Sequence, residues 1–261
     1  MMNNNSFIHP DARIGKNVEI GPFCYISGEV EIGDGCRIGP HVTIFDYVKI
    51  GKNCSVFPGA VLGGIPQDLK YEGEVSRVEI GDNTTIRECA TVNRGTAASG
   101  KYLTRVGSNC LLMSYVHVAH DCLVGDNCIL AGYTGLAGEV VLDDFATLGG
   151  GVLVHQFCHI GSYTMLGGGN TVIKDVPPFV LASRNPVVYE GLNIVGLRRK
   201  GFSNETINEI KEIYRMIYQG GMTVSDACLN IRGVFAPTPH RDAILSFVEN
   251  SGRGIIKCPV K

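Results

Sequence analysis

The sequence predicts a mainly β fold, in which a solenoid of short parallel strands is followed by a small helical domain. Three features of the 261 residues support this: an aliphatic residue recurs at every sixth position, glycine is abundant at 34 residues, and the hexads stop near Pro177. A period of six matches neither a helix nor a simple alternating strand. It fits short strands joined by tight turns, with three hexads in each coil.

Two runs of hexads predict the wall of the solenoid. The first has an aliphatic residue at ten of ten places from Ile8 to Leu62, and the second at twelve of twelve from Val106 to Val172. Four residues after each aliphatic lies a small or β-branched residue, and we expect both to point inward. Glycines follow many of the aliphatics and are expected to serve turns that need positive φ or close backbone contact. A cysteine at the small position acts as a small hydrophobe. The cysteines there are Cys24, Cys36, Cys54, Cys110, Cys122, Cys128 and Cys158.

Two breaks in the repeat predict loops, near residues 64–79 and 95–105. Loops on a rigid scaffold are common carriers of binding residues. The first break holds Gln67, Asp68 and Lys70 close together in the chain, which favours a binding role. A tolerated surface insertion is the alternative, and it is stronger for the second break.

The last part of the chain predicts a helical domain over residues 191–261, after a solenoid over residues 1–190. Ser203 or Asn204 is expected to cap a helix, and two more helices are expected over 223–232 and 240–250. Residues 191–261 hold ten Lys and Arg against six Asp and Glu, which gives +4 and leaves −6 for the rest. A basic module suits an acidic partner or a phosphorylated substrate, and an ordinary solvated surface is the alternative.

The composition argues against several classes of protein. With 23 Lys and Arg against 25 Asp and Glu, the chain does not have the charge of a general nucleic-acid binder. No apolar run approaches the ~18 residues of a membrane span. Residues 1–10 lack the pattern of a secretory signal, so we expect a cytoplasmic protein whose cysteines are reduced.

The histidines suggest catalysis. His120 is followed by Asp121, and a carboxylate beside an imidazole raises its basicity and fixes its tautomer. His155 directly follows an inward Val154, which suits a general base next to a loop. Zinc held by three histidines is the competing use. No two histidines of the second run lie 18 or 36 residues apart. This spacing disfavours a metal site but leaves the alternative open.

Several segments resemble one family over essentially the whole chain. The hexads resemble the hexapeptide-repeat proteins, which form left-handed parallel β-helices and often act as trimeric acyltransferases. More specific matches identify the chain as similar to the UDP-N-acetylglucosamine O-acyltransferases that begin lipid A synthesis. The matching segments are residues 67–71, Arg87-Glu88, residues 94–96, residues 111–113, residues 117–122, residues 154–158, residues 175–178 and residues 196–202.

The resemblance implies transfer of a 3-hydroxyacyl chain from acyl carrier protein to the 3-hydroxyl of UDP-N-acetylglucosamine within a homotrimer. It implies that His120 is the general base, Asp121 its orienting neighbour and the Gly138 N–H the oxyanion donor. No cofactor is implied beyond the phosphopantetheine that carries the donor. The remaining implied roles are contacts to the sugar and the acyl 3-hydroxyl by Asp68 and Lys70 with Gln67 beside them, further pocket contacts by His117 and His155, nucleotide contacts by Gln156, Asn193 and Arg199, and measurement of acyl length at Gly168. From their charge, we expect Arg198 and Lys200 to attract the acidic carrier protein or the pyrophosphate.

Four positions depart from the commonest family pattern. Glu139 and Asn93 each stand where many members have His, Val195 replaces a Glu, and Lys200 replaces an Arg. The departures at Glu139 and Val195 concern contacts to sugar and nucleotide, and they leave the surroundings of His120 unchanged. Two alternatives from other classes remain at this stage, a trimeric zinc carbonic anhydrase and a non-enzymatic scaffold.

Overall fold

Short parallel strands form the three walls of a solenoid in this computed structural model, which describes residues 5–259. Strands stack one coil apart, so that Leu112 pairs with Leu130, 18 residues later. The first strands are β1 (Phe7–Ile8), β2 (Arg13–Ile14), β3 (Glu19–Ile20), β4 (Tyr25–Ile26), β5 (Val30–Ile32), β6 (Arg37–Ile38), β7 (Thr43–Ile44), β8 (Val48–Ile50) and β9 (Ser55–Val56). Next come β10 (Val61–Gly64), β11 (Arg77–Ile80), β12 (Thr85–Ile86), β13 (Thr91–Asn93), β14 (Leu103–Val106), β15 (Leu111–Leu112), β16 (His117–Val118), β17 (Leu123–Val124) and β18 (Ile129–Leu130). The last are β19 (Gly135–Leu136), β20 (Val141–Leu142), β21 (Thr147–Leu148), β22 (Leu153–Val154), β23 (His159–Ile160), β24 (Met165–Leu166), β25 (Thr171–Val172), β26 (Val180–Ser183) and β27 (Val188–Leu192).

From β1 to β25, every third strand belongs to the same wall. Sheet A contains β1, β4, β7, β10, β13, β16, β19, β22 and β25. Sheet B contains β2, β5, β8, β11, β14, β17, β20 and β23. Sheet C contains β3, β6, β9, β12, β15, β18, β21, β24, β26 and β27, of which β27 alone pairs antiparallel. The chain passes from sheet A to B to C in each coil, and we call the turns between them the A–B, B–C and C–A corners.

The predicted inward positions form the core. The aliphatic series is buried from Ile20 onward, while Ile8 and Ile14 are half-buried at the open end of the solenoid. All seven predicted core cysteines are buried, and all ten cysteines of the chain are free thiols. The prediction that cysteine fills the small inward position is confirmed.

The glycines that directly follow the repeat aliphatics serve close packing and not positive φ, except Gly63, whose φ is 79°. A Cβ on Gly15 would lie 2.7 Å from the backbone nitrogen of Asp34 in the next coil. The left-handed conformation falls instead on a later turn residue, such as Asn17 or Asn53. Close approach of the backbone of the next coil, and not positive φ, is therefore the reason for glycine at these positions.

Two loops leave the A–B corner in consecutive coils. The first loop, residues 65–76, joins β10 to β11, and the second loop, residues 94–102, joins β13 to β14. Leu62 and Ile80 are 18 residues apart, which is the length of one coil. The chain nevertheless passes only from sheet A to sheet B between them, because the first loop takes up the additional residues. Both insertions therefore stand side by side at one edge of the solenoid.

Four helices close the C-terminal end of the described chain. They are α1 (Ile194–Arg199), α2 (Asn204–Gln219), α3 (Val224–Val234) and α4 (Pro239–Glu249). The Ser203 side chain accepts the Thr206 N–H and caps α2, as predicted. The fully buried Tyr214 donates to the Pro178 carbonyl at 2.7 Å and thereby fixes α2 to the last coil. The short helix α1 was not predicted, because six residues show no readable periodicity.

Candidate active site

The A–B corner gathers most of the predicted site residues into one column. Because coils repeat every 18 residues, turns that follow sheet A strands lie directly above one another. The two loops come first, and the next turns hold His120-Asp121, then Gly138-Glu139, then His155-Gln156.

His120 is held by its carboxylate neighbour. Its Nδ1 lies 2.8 Å from Oδ2 of Asp121, and its side chain is 15% exposed. An ionised carboxylate only accepts, so Nδ1 is the donor and the neutral ring leaves Nε2 with a free lone pair. The imidazole is therefore oriented as a base that uses Nε2.

Asp121 is fully buried and strongly hydrogen-bonded. Burial alone would raise its pKa, but hydrogen bonds from Ser99, His120 and Thr96 together lower the pKa below the usual aspartate value. The Ser99 hydroxyl lies at 2.6 Å, the Thr96 hydroxyl at 2.7 Å and the Thr96 N–H at 2.9 Å. The Asp121 N–H donates to Oγ1 of Thr104 at 2.8 Å. The carboxylate thus stays ionised and in place.

The free edge of the His120 ring faces a space lined by Asp68 and Gly138. Nε2 lies 3.8 Å from Oδ2 of Asp68. A Cβ on Gly138 would lie 2.4 Å from both Nε2 and Cε1, so only glycine leaves this space open. The Gly138 N–H donates to no other residue in the described part of the chain and is available to a polar ligand group.

Two more histidines flank this space. His117 projects from sheet A, with Nδ1 2.7 Å from Oγ1 of Thr91. Burial, and secondarily the nearby His120, lower the pKa of His117, which favours its neutral form. His155 is exposed, with Nδ1 3.1 Å from the Gln156 carbonyl.

The first loop presents polar groups beside an open groove. Gln67 and Lys70 are exposed, and Oδ1 of Asp68 accepts the Lys70 N–H at 3.0 Å. Gln67 lines a groove of about 570 Å³ together with Asn93 and Arg94. Thr91, whose hydroxyl contacts His117, also lines this groove, so the groove extends from the first loop onto sheet A.

Of the predicted nucleotide residues, Gln156 belongs to the A–B column, whereas Asn193 and Arg199 lie with the predicted carrier-protein residues at a different edge. Asn193 caps α1 by accepting the Gly196 N–H, and its amide donates to the carbonyl of Tyr163 at the B–C corner. Lys200 places Nζ 4.6 Å from the centre of the Phe145 ring, also at the B–C corner. Arg198 and Arg199 are exposed on the same short helix.

Gly168 lies at the third edge, the C–A corner. It is exposed and stacks on Gly150, so that an added Cβ would lie 3.0 Å from the Gly150 carbonyl oxygen. Among the three consecutive glycines, only Gly169 has positive φ, at 71°. The backbone conformation at Gly168 therefore does not itself require glycine.

The family departures have structural explanations at three of four positions. Glu139 lies 3.8 Å from Nζ of Lys101, which also donates to the Asp121 carbonyl at 3.4 Å. Asn93, at the end of β13, donates its side-chain amide to the Ile65 carbonyl of the first loop. Lys200 packs on Phe145 as described above. Val195 is exposed on α1, and nothing in the structure explains it.

Sequence reasoning missed the residues that hold Asp121. The sequence does not single out Ser99 or Thr104, and it indicates Thr96 only within the matching Arg94-Gly95-Thr96 segment. The available signal was the second break itself, because an inserted loop beside a catalytic turn is placed to contact it.

Within residues 5–259, no three His, Cys, Asp or Glu side chains gather in an arrangement that could hold a metal ion. Among the same residues, none of the helices has the length and apolar character that crossing a bilayer demands.

Comparisons with known proteins point to one family. Residues 175–256 match the profile described as "Udp N-acetylglucosamine O-acyltransferase; Domain 2", and residues 11–46 and 103–138 match the bacterial transferase hexapeptide profile. An acyl-[acyl-carrier-protein]–UDP-N-acetylglucosamine O-acyltransferase of Halorhodospira halophila is 45% identical over 97% of this chain and 98% of its own. The LpxA structure from Bacteroides fragilis is 50% identical, with a TM-score of 0.95 over 98% of this chain and 100% of that one.

A second solved structure agrees. LpxA from Acinetobacter baumannii is 42% identical, with a TM-score of 0.95 over 98% of this chain and 99% of that one. These similarities confirm the predicted left-handed parallel β-helix with C-terminal helices. They also confirm the family that the sequence segments resemble. This chain belongs to the UDP-N-acetylglucosamine O-acyltransferase family.

Proposed function

We propose that this protein transfers a 3-hydroxyacyl chain from acyl carrier protein to the 3-hydroxyl of UDP-N-acetylglucosamine, the first step of lipid A synthesis. The observation that carries the proposal is the His120 imidazole, whose Nδ1 is bound to a buried carboxylate and whose Nε2 faces the space beside Gly138. Family membership supports the choice of substrates, and the geometry around His120 supports its assignment as the general base.

The reaction is a direct attack on the thioester. Nε2 of His120 takes the proton of the sugar hydroxyl as its oxygen bonds to the thioester carbonyl carbon. The charge that develops on the carbonyl oxygen is stabilised by the Gly138 N–H. Collapse of the tetrahedral intermediate breaks the carbon–sulfur bond, and the imidazolium returns its proton to the departing thiolate. Asp121 keeps the ring oriented throughout.

The other predicted residues bind the two substrates. Asp68 lies 3.8 Å from Nε2, and with Lys70 and Gln67 of the same loop it suits the sugar and the acyl 3-hydroxyl. His117 and His155 are assigned to the rest of the pocket. Gln156, Asn193 and Arg199 are assigned to the nucleotide. Arg198 and Lys200 are exposed cations and suit an acidic carrier protein. No cofactor is needed beyond the carrier's phosphopantetheine.

A homotrimer fits the distribution of these residues. Three corners of one solenoid carry different parts of the predicted site. His120 lies at the A–B corner, Asn193 contacts the B–C corner and Gly168 lies at the C–A corner, so a single chain does not bring them together. Three-fold packing of such prisms would set different corners of neighbouring copies against one another. We therefore place the active site between subunits.

We assign the protein to the cytoplasm, which is supported by its ten free cysteines. We also propose the division into a β-helix over residues 1–190 and a helical domain over residues 191–261.

The test is to incubate the purified protein with UDP-N-acetylglucosamine and a set of 3-hydroxyacyl carrier proteins, and to determine the mass of the product. We expect a nucleotide sugar heavier by one 3-hydroxyacyl group. No acylated product with any donor, together with one tight zinc per subunit and CO₂ hydration, would favour the carbonic anhydrase alternative.

A further inference from the structure

The two loops of the A–B corner are joined to each other. The Arg94 N–H donates to the Gly64 carbonyl at 2.9 Å, and Nη2 of Arg94 donates to the Tyr71 hydroxyl at 3.1 Å. Oε1 of Glu74, in the first loop, accepts the Ala97 N–H of the second loop at 2.7 Å. The first loop therefore sets the position of the second.

Glu74 contacts the segment that holds Asp121. Ala97 directly follows Thr96 and lies two residues before Ser99, and both of those side chains donate to the Asp121 carboxylate. The second oxygen of Glu74 accepts the Glu72 N–H at 2.9 Å, so the carboxylate is fixed at both oxygens. The hydrogen bond from Ala97 lowers the pKa of Glu74, which is consistent with an ionised acceptor at neutral pH.

We propose that Glu74 is a positioning residue for acyl transfer, acting through Ala97 on the loop segment that orients Asp121 and hence His120. The inference rests on the proposed function and deepens it. The first loop also carries Asp68, whose carboxylate lies 3.8 Å from Nε2 of His120. Glu74 therefore links the loop assigned to the sugar with the loop that holds the base.

Glu74→Ala should lower kcat by about ten- to hundredfold, because a small displacement of an aligned base has effects of this size. KM for UDP-N-acetylglucosamine should change by less than about threefold, since Glu74 does not line the space at Nε2. Glu74→Gln keeps an acceptor oxygen and should lose less. The matched control is Glu72→Ala, from the same loop, because the exposed Glu72 carboxylate makes no hydrogen bond or salt bridge within the described residues.

A double-mutant cycle separates positioning from a general structural role. If Glu74 acts through Asp121, then Glu74→Ala should cost almost nothing further in kcat once Asp121→Asn is present. The inference would be overturned if Glu74→Ala lowered kcat by the same factor in the Asp121→Asn background as in the wild-type background. It would also be overturned if the Glu74→Ala single variant kept the wild-type kcat. Should Glu74→Ala fail to fold, Glu74→Gln in the same cycle decides between these results. Lack of turnover by the wild-type protein would instead refute the proposed function.

Discussion

Gly138→Ala tests whether the free edge of His120 is the reacting edge. The added Cβ would lie 2.4 Å from Nε2 and Cε1, whereas ordinary carbon contacts begin near ~3.5 Å, so the ring must move by about 1 Å. Gly138 is not among the positive-φ glycines, so alanine fits the backbone and the effect falls on His120. A displacement of this size corresponds to about a hundredfold loss in kcat, or ~2.7 kcal/mol of barrier.

The assay is steady-state turnover with saturating acyl carrier protein and nucleotide sugar, alongside the thermal midpoint of unfolding. The matched control is Gly233→Ala in α3, where a Cβ meets nothing within 4 Å and φ is not positive. We expect the control to retain wild-type kcat and gain at most ~1 kcal/mol of helix stability. Turnover of Gly138→Ala within twofold of wild type would refute the assignment of Nε2 as the base.

Three further predictions address other parts of the site. Gly168→Met should shift donor preference toward acyl chains about four carbons shorter, because each CH₂ that the groove excludes loses ~0.8 kcal/mol of binding. Relative kcat/KM for C10 to C16 donors measures this shift, and an equal loss of activity on every donor would contradict it. Arg198→Glu with Lys200→Glu should raise KM for the carrier protein or the nucleotide sugar and weaken its salt dependence, whereas unchanged KM values at low and high salt would dismiss that role. The pKa of His117 is lower in the folded protein than in the unfolded chain. As the pH falls, the unfolded chain therefore takes up this proton at a higher pH than the folded protein does. The free energy of unfolding consequently falls as the pH drops through ~6.5 toward the folded-state pKa. The thermal midpoint should therefore fall less between pH 8 and 5 in His117→Gln than in wild type, and equal falls would exclude this contribution.

The period of six was sufficient to predict a solenoid and its core, because inward positions are determined by burial, whereas the left-handed sense of the helix was implied only by the family resemblance. Each hexad places one aliphatic residue inside, and every such residue from Ile20 onward is buried. Helix α2 was predictable for a similar reason, since Ile207, Ile210, Ile213 and Ile217 form one buried face. These are repeated, local signals that do not depend on which coil lies beside which.

The hydrogen bonds of the site could not be predicted in this way. Asp121 depends on Thr96 and Ser99, which lie 25 and 22 residues earlier in a loop that breaks the repeat. The contact of Thr96 and Ser99 with Asp121 exists because the two loops stack at one corner. The spacing of the aliphatic positions alone did not reveal that both loops follow strands of sheet A. The role of Glu74 depends on the same stacking.

The most direct test of the account is the turnover of His120→Ala with UDP-N-acetylglucosamine and its preferred 3-hydroxyacyl carrier protein. Loss of a general base predicts a fall in kcat of about 10²–10⁴, with the thermal midpoint and the binding of the nucleotide sugar close to wild type. A well-folded His120→Ala protein that turns over at near the wild-type rate would contradict the central claim.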